Sequence, residues 1–263
     1  MTVPPVVPGR SALITGASSG IGEALAHVMA ARGFDLLLVA RGTAALGKLA
    51  SELSQSHSVR CEVLGADLTR SSDVEAVAAQ IREREVSTVV NNAGFGSYGV
   101  FHELSLYEEL DQVKLNVEAL VVLSHAALEV MVPRRSGALL NVASTASFQP
   151  GPKNATYSAT KAFVRSFTEA VHEEVRTSNV HVTALCPGFT RTAFQSRAGM
   201  RGNGVPRFMW AEPMSVAITG LEALERNQAV CIPGFMNQLG AASVRFAPRS
   251  LARKVAGKVL RHT

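Results

Sequence analysis

Short apolar segments alternate with longer amphipathic segments along nearly the whole of this 263-residue chain. The apolar runs are almost uninterrupted, as strands that are covered on both faces require. In the segments between them, apolar residues recur every three or four positions, which is typical of helices that bury one face. The pattern predicts an α/β fold, a doubly wound parallel sheet of about seven strands with helices on both faces.

The predicted strands cover residues 12–15, 36–40, 61–65, 88–91, 137–142, 181–186 and 230–232. The predicted helices cover residues 20–32, 43–56, 71–84, 105–132, 155–177 and 213–226. Apolar residues make up 47% of the chain, which is enough for one large core. We therefore expect a single domain over residues 10–235, preceded by a flexible arm at residues 1–9 and followed by a tail at residues 236–263.

Charge and cysteine usage narrow the class of protein. Lys and Arg number 26 against 21 Asp and Glu, but much of this excess falls at residues 191–207 and 245–261, and aromatic residues are only 6% of the chain. A nucleic-acid partner is therefore not expected. Three widely spaced cysteines, Cys61, Cys186 and Cys231, favour free thiols and a cytoplasmic location.

The sequence predicts neither a membrane span nor a metal site. No apolar run approaches the roughly 20 residues that cross a bilayer, and the first residues lack the pattern of a signal peptide. The seven His show no metal-ligand spacing.

A glycine-rich segment at residues 15–22 joins the first predicted strand to the first predicted helix. Glycines at this turn allow close approach of a dinucleotide pyrophosphate to the helix N-terminus. The spacing G-x-x-x-G-x-G differs from the commoner G-x-G-x-x-G, and a plain turn is the structural alternative. The predicted cofactor-binding residues here are Gly16, Ser18, Ser19, Gly20, Ile21 and Gly22.

Arg41 follows the second predicted strand, near the position where an acidic residue would bind the ribose 2′-hydroxyl of NAD. A guanidinium there attracts the 2′-phosphate of NADP instead, so NADP(H) is the predicted cofactor and NAD(H) the less favoured one. The alternative is that Arg41 only solvates the strand end. Asp67, after the third strand, could bind the adenine amine or cap the helix that begins near Ser71.

Tyr157 and Lys161 lie four residues apart in a predicted helix, so their side chains share a face. An ammonium near a phenol favours the phenolate, and we expect Lys161 to lower the Tyr157 pKa. Tyr157 would then serve as a proton donor and acceptor. Isolated Tyr-x-x-x-Lys pairs usually mark only an exposed helix face, so the motifs around this pair carry the interpretation.

At this point the chain resembles the classical short-chain dehydrogenases/reductases over about residues 10–235. The matching positions are residues 15–22, residues 91–94, Asn116, Ser144, Tyr157, Lys161 and residues 187–192. The resemblance implies a Rossmann-type domain, a nicotinamide cofactor and chemistry at a carbonyl or carbinol carbon. Within the family, residues 39–41 and 233–237 resemble a group that includes ketoacyl and hydroxysteroid reductases.

The resemblance also implies a role for each matching residue. Tyr157 would exchange a proton with the substrate oxygen, and Ser144 would hydrogen-bond the same oxygen. Lys161 would hold the nicotinamide ribose, and Asn116 would connect it to solvent through a water. The remaining positions, which would contact or support the cofactor, are Asn92, Ala93, Gly94, Pro187, Gly188, Thr190 and Thr192.

Each of these assignments has a structural alternative. Asn116 could simply hydrogen-bond a neighbouring loop, and Thr192 could cap a helix. Two residues depart from the family pattern: Ala143 stands where a second serine is frequent, and Phe189 stands where smaller residues often occur. Phe189 would either narrow the pocket or only pack, and Cys186 is expected to be a buried apolar residue.

Residues 193–212 are predicted to form a mobile substrate lid with an apolar lining, which suits an aliphatic, acyl or sterol-like substrate. Arg197, Arg201 and Arg207 could meet a phosphate-bearing carrier or be merely solvated. After Pro248, the tail has the pattern of a basic amphipathic helix, for which docking on protein is favoured over membrane contact. The helices at 105–132 and 155–177 resemble the family's oligomer faces, so a homodimer or homotetramer is expected.

Four functions are compatible with these observations. The favoured one is an NADP(H)-dependent reductase of apolar or 3-ketoacyl-type small molecules. The first alternative is an NAD-dependent alcohol or hydroxysteroid dehydrogenase. The others are a non-catalytic NADP-sensing or scaffold protein and a membrane-associated protein that acts through its tail. The natural substrate and its stereochemistry are not encoded in the motifs.

Overall fold

A computed structural model describes residues 10–199 and 206–246 of the chain. The described strands form one parallel sheet in the order β3-β2-β1-β4-β5-β6-β7. Their bounds are β1 Ser11–Thr15, β2 Asp35–Ala40, β3 Cys61–Gly65, β4 Thr88–Asn91, β5 Gly137–Val142, β6 Val180–Leu185 and β7 Val230–Cys231. The predicted fold class is confirmed, and the strand bounds differ from prediction by at most one residue at either end.

Helices cover both faces of the sheet. Those in the described residues are α1 Gly20–Ala31, α2 Thr43–His57, α3 Ser71–Glu83, α4 Leu106–Val113, α5 Leu120–Met131, α6 Ala155–Glu174, α7 Phe194–Arg197, α8 Pro213–Glu225 and α9 Phe235–Phe246. One apolar cluster packs α1, α2 and α8 against the sheet, and a second packs α3, α5 and α6 against its other face. The strand interiors are buried because both layers cover them.

The long helix expected over residues 105–132 is interrupted in the structure. A π-helical turn, Lys114–Ala119, separates α4 from α5. Such a turn inserts an extra residue into the helical repeat, and π turns are frequent at functional sites. Asn116 lies within this turn, so the interruption falls at a residue that the sequence predicts to be functional.

A chain of buried amides links the central strands to the helix layer. The side-chain amide of Asn91 donates to Asn141 Oδ1 at 2.9 Å and to Ser124 Oγ at 3.0 Å. Asn141 in turn donates to Thr168 Oγ1 at 3.0 Å. Because polar groups without partners are costly in a dry interior, these bonds fix β4, β5 and α6 in a single arrangement.

Two predicted segments of the C-terminal half are described only in part. The described portion of the predicted tail, residues 236–263, belongs to α9, which begins at Phe235 and packs near residues 145–148. The predicted basic amphipathic helix lies outside the described residues. The same holds for part of the lid, residues 200–205, whereas α7 and a 3₁₀ turn, Arg207–Met209, occupy its described parts. None of the described helices combines the length and apolarity needed to span a membrane.

Candidate active site

The glycine-rich turn lies between β1 and α1, at the carboxyl edge of the sheet. Gly16 and Gly20 both have a φ of +65°, which is unfavourable for residues with a side chain. A methyl group on Gly22 would lie 2.3 Å from the Gly16 carbonyl oxygen, and one on Gly20 would lie 2.9 Å from Thr192 Cγ2. The glycines are therefore required by the packing of the protein itself, in addition to any close approach of a ligand.

Asn92 attaches this turn to the neighbouring strand. Its side-chain amide donates to the carbonyl oxygens of Thr15 at 2.9 Å and Gly16 at 3.2 Å. Thr15 Oγ1 accepts from the backbone nitrogens of Asn92 and Ala93, both at 3.0 Å. The predicted contribution of Asn92 and Ala93 thus includes holding the turn in place.

The first turn of α1 is open to an anion. Ser19 occupies the N-cap position, but its side chain makes no capping hydrogen bond with a described residue. Amide groups that point out of an uncapped helix N-terminus, together with the helix dipole, favour negatively charged ligands. The turn from Ser18 to Gly22 therefore has the chemistry that a dinucleotide pyrophosphate requires.

Arg41 and Asp67 follow the neighbouring strands β2 and β3. Arg41 is exposed, and in contrast to Arg60 and Arg84 it forms no ion pair with a described carboxylate. Burial acts to raise the pKa of Asp67, but hydrogen bonds from Thr69 and the nearby charge of Arg41 outweigh it and lower the pKa. The two predicted residues therefore lie together at one end of the sheet.

Asp67 does not cap α3, which was one of its two predicted roles. Its Oδ1 accepts from the backbone nitrogen of Thr69 at 3.1 Å and from Thr69 Oγ1 at 2.8 Å. The side chain thereby closes a local turn before the helix begins, as Asp side chains commonly do.

Tyr157 is half-buried near the start of α6, with Ser144 beside it. Burial raises the pKa of Tyr157 to about 12, while hydrogen bonding with Ser144 acts in the opposite direction. The phenol is therefore protonated at neutral pH. Ser144 follows β5, and its Oγ accepts from the Ala146 backbone nitrogen at 3.1 Å, which fixes the hydroxyl at the edge of the sheet.

Lys161 lies one turn of α6 beyond Tyr157 and is buried. Its Nζ donates to the Val142 carbonyl oxygen at 2.7 Å and lies 5.8 Å from the centroid of the Tyr157 ring. Burial lowers the pKa of Lys161 to about 8. The expected depression of the Tyr157 pKa by Lys161 is therefore wrong, since desolvation dominates both groups.

Asn116 reaches the same region from the π turn. Its amide donates to the Phe95 carbonyl oxygen at 2.9 Å and to Thr160 Oγ1 at 3.1 Å, and its Oδ1 accepts from the Phe95 nitrogen at 3.2 Å. The side chain thus bonds a neighbouring loop, which was the structural alternative. A methyl group on Gly94 would lie 2.9 Å from Asn116 Oδ1 and 3.4 Å from Lys161 Nζ, so Gly94 separates the two residues.

The segment after β6 closes the site from the other side. Gly188 lies against Asn237 at the start of α9, where an added methyl group would meet the Asn237 amide at 2.5 Å. Thr190 Oγ1 donates to the Gly188 carbonyl oxygen at 3.1 Å, and Thr192 Oγ1 accepts from the Phe194 nitrogen at 3.2 Å. The Thr192 hydroxyl thus closes a local turn before α7, whose N-cap residue is Ala193, so the N-cap alternative for Thr192 is not seen.

The start of the predicted lid lies against the predicted catalytic residues. The ring of Phe194, in α7, lies 5.3 Å from the Tyr157 ring. Phe189 packs against Trp210 at 5.5 Å, as its structural alternative predicted. Cys186 is buried, and desolvation raises its thiol pKa to about 12, so it behaves as an apolar residue. The sequence assigns Phe194 to the lid, but only the folded structure shows that its ring contacts Tyr157.

A family model described as short chain dehydrogenase matches residues 10–201. This span covers well over half of the chain and includes every motif from the glycine turn to Thr192. The chain belongs to the short-chain dehydrogenase family. The resemblance inferred from the motifs is thereby confirmed.

Two curated proteins are similar to this chain. The very-long-chain 3-oxoacyl-CoA reductase of Laccaria bicolor is 36% identical over 181 residues, covering 67% of this chain and 54% of the relative. The inactive hydroxysteroid dehydrogenase-like protein 1 of Homo sapiens is 28% identical over 208 residues, covering 78% and 62%. The chain thus spans little more than half the length of these curated relatives.

Among solved structures, a short-chain dehydrogenase from Sphingobium yanoikuyae in complex with NADPH is similar over most of both chains. It is 35% identical, with a TM-score of 0.82, and the match covers 89% of this chain and 93% of that one. The carboxyl-edge arrangement described above therefore belongs to a fold that accommodates a nicotinamide dinucleotide in a relative.

The buried amine of Lys161 predicts a measurable dependence of stability on pH. The folded pKa of about 8 lies below the ordinary value of 10.5. Below pH 8 the native state carries the full desolvation penalty of the Lys161 ammonium. Between pH 8 and 10.5 the unfolded state binds more protons than the native state, so this penalty disappears as the pH rises. Lys161→Met should therefore raise the free energy of unfolding at pH 7 by about 1–2 kcal/mol, net of the lost bond to Val142.

Urea unfolding between pH 6.5 and 10.5 measures this difference. The advantage of Lys161→Met should shrink steadily above pH 8. Lys48→Met, at an exposed position of α2, is the matched control and should change stability by less than about 0.5 kcal/mol. A difference that is constant across the pH range would contradict desolvation of Lys161 as its cause.

Proposed function

We propose that this chain is an NADP(H)-dependent oxidoreductase that interconverts a carbonyl and a secondary alcohol. Its physiological work is reduction of apolar or 3-ketoacyl-type substrates. The observation that carries the proposal is the meeting of Tyr157, Ser144 and Lys161 near the end of β5. Tyr157 can exchange a proton with a substrate oxygen, Ser144 can hydrogen-bond that oxygen, and Lys161 supplies positive charge nearby.

The protonation state of Tyr157 supports the reductive direction. When bound, a nicotinamide cofactor supplies the hydride equivalent for the carbonyl carbon. A phenol with a pKa of about 12 holds its proton at neutral pH and can donate it to the carbonyl oxygen. Ser144 Oγ is placed to hydrogen-bond the same oxygen as negative charge develops there.

Lys161 provides positive charge for the proton transfer from Tyr157. After Tyr157 gives up its proton, the nearby ammonium stabilises the phenolate until a proton returns. We propose that Asn116 takes part in that return through a bound water, with the π turn fixing its position. The ribose hydroxyls of the nicotinamide half are the groups that Lys161 would hold, while Thr190 and Thr192 would orient the carboxamide.

Replacing Tyr157 tests the chemical step. Tyr157→Phe keeps the ring and its contact with Phe194 but removes the proton donor, so turnover of ketones with NADPH should fall by about 10²–10⁴-fold. Affinity for NADPH should change little. Steady-state kinetics and fluorescence titration measure the two quantities separately.

Tyr107→Phe is the matched control, because Tyr107 is 82% exposed on α4. Its kinetics should equal those of the wild type. Unchanged turnover in Tyr157→Phe would contradict the proposed mechanism. If the wild type binds NADPH tightly but turns over no ketone or ketoacyl thioester, a sensing or scaffold role is favoured. The human relative is named an inactive protein, which is the reason to test this second candidate.

Arg41 supports NADP(H) over NAD(H). Its guanidinium follows β2 directly and precedes α2, whose N-cap residue Gly42 offers no capping side chain. A 2′-phosphate at this point would meet a cation and an uncapped helix N-terminus together. The NADPH complex of the Sphingobium relative is consistent with this preference.

Arg41→Ala tests the cofactor preference. Loss of a charge-assisted bond to the 2′-phosphate should weaken NADPH binding by about 10- to 100-fold and leave NADH binding unchanged. Fluorescence titration of both cofactors measures the ratio. Arg60→Ala, which removes an exposed arginine paired with Asp35, is the control. Equal NADPH and NADH affinities in the wild type would contradict the assignment of Arg41 and favour NAD-dependent alcohol oxidation.

The substrate class is proposed from the described part of the lid. The Phe194 ring packs on Tyr157, and Phe208, Met209 and Trp210 add apolar residues to the described part of the lid, with the Phe208 side chain 74% exposed. Such surface suits an aliphatic, acyl or sterol-like ketone. The Laccaria relative, a reductase of 3-oxoacyl-CoA by name, is consistent with the acyl alternative. Met200, Arg201 and Val205, which the sequence assigned to the lid, lie outside the described residues.

We also propose that the chain forms a homodimer or homotetramer through α4, in a reducing, cytoplasmic setting that suits its three free cysteines. Leu106, Leu110 and Val113, spaced at i, i+4 and i+7, are exposed along one face of this helix. A contiguous apolar face of this kind is typical of a subunit interface.

A charge in the proposed interface should dissociate the oligomer. Leu110→Glu should reduce the mass measured by light scattering to that of a monomer, because a carboxylate would be desolvated at the contact. Leu239→Glu, on α9, is the matched control, since both leucines are 49% exposed. Equal masses for the wild type and both variants would contradict the proposed interface.

A further inference from the structure

The four-residue helix α7 extends from the catalytic residues to the glycine-rich turn. At its start, the Phe194 ring packs against Tyr157. At its end, Arg197 Nη1 donates to Ser19 Oγ at 3.5 Å. Residues that lie far apart in the sequence are therefore joined across the mouth of the site by α7.

The position of α7 is fixed by contacts on both sides. Gln195 Nε2 donates to the Thr190 carbonyl oxygen at 3.1 Å, and the Phe194 nitrogen donates to Thr192 Oγ1 at 3.2 Å. Thr192 in turn packs so closely on Gly20 that a methyl group there would lie 2.9 Å from its Cγ2. Arg197 is thus held beside the turn by the packing of its neighbours.

The charge of Arg197 is available to a ligand. The side chain is exposed, and it forms no ion pair with a carboxylate in the described parts of the chain, whereas Arg191 in the same segment is paired with Glu212 at 2.8 Å. Ser19, which accepts the hydrogen bond from Arg197, immediately precedes the open first turn of α1. A guanidinium beside an uncapped helix N-terminus concentrates positive potential at one point.

We propose that Arg197 is a cofactor-binding residue that contacts the pyrophosphate of the dinucleotide from the lid side of the site. The inference rests on the proposed function, since it requires that a nicotinamide dinucleotide occupies the glycine-rich turn. The turn supplies backbone amides to one side of the pyrophosphate, and Arg197 supplies a planar donor pair to its exposed oxygens. This use differs from contact with a substrate carrier, which the sequence alone left open for Arg197.

The proposal assigns separate tasks to two arginines. The pyrophosphate is common to NADPH, NADH and ADP-ribose, so Arg197 should strengthen the binding of all three alike. Arg41 faces the 2′-phosphate and should act only on NADPH and on adenosine 2′-monophosphate. Adenosine 2′-monophosphate contains no pyrophosphate, and its affinity should be independent of Arg197.

Calorimetric titration of wild type, Arg197→Ala, Arg197→Lys and Arg207→Ala with these four ligands tests the assignment. Arg197→Ala should weaken NADPH, NADH and ADP-ribose each by about tenfold and leave adenosine 2′-monophosphate unchanged. Arg197→Lys should fall in between, because it keeps the charge but loses the bidentate geometry. Arg207→Ala, an exposed arginine of the same lid, is the control and should bind all four ligands as the wild type does.

The outcomes separate this inference from the proposed function. If the wild type binds neither NADPH nor NADH, the proposed function itself is overturned. If the wild type binds them and Arg197→Ala matches Arg207→Ala, only the role of Arg197 is overturned. If Arg197→Ala weakens NADPH but not ADP-ribose, the effect arises at the nicotinamide end through α7 and Phe194, and the pyrophosphate contact is likewise overturned.

Discussion

Close packing between the glycine-rich turn and Asn92 is the constraint on which the candidate site depends. The Asn92 amide bonds the carbonyl oxygens of Thr15 and Gly16, and the space it occupies is the space that a side chain on Gly16 or Gly22 would need. This packing fixes the start of α1 relative to β4. The open helix N-terminus then faces the carboxyl edge of the sheet, where the reacting residues also lie.

The parallel sheet brings the remaining groups to the same edge. Ser144 follows β5, Arg41 follows β2 and the segment with Thr190 and Thr192 follows β6, so residues from three loops join the glycine-rich turn after β1 at this edge. Lys161 crosses from α6 to the last residue of β5, where it bonds the Val142 carbonyl. The site is therefore a product of topology, since no two of its loops are adjacent in sequence.

Burial has opposite consequences for the two central groups. It keeps Tyr157 protonated and makes the ammonium of Lys161 easier to deprotonate. Desolvation therefore opposes the charged pair that their i, i+4 spacing predicts.

The sequence by itself determined the fold class, the seven strands to within one residue and the motifs that define the family. These features depend on local periodicity and on residue types at fixed spacing, and both can be identified from the sequence alone. It also gave the candidates Ser144, Tyr157, Lys161 and Arg41.

Only the tertiary structure decided how those residues are paired. The π turn at Asn116, the bonding of Asp67 to Thr69, the helix α9 against Gly188 and the reach of α7 from Tyr157 to Ser19 all involve partners set by packing between distant segments. The pKa of Tyr157 likewise follows from desolvation, a property of the folded environment that i, i+4 spacing does not encode.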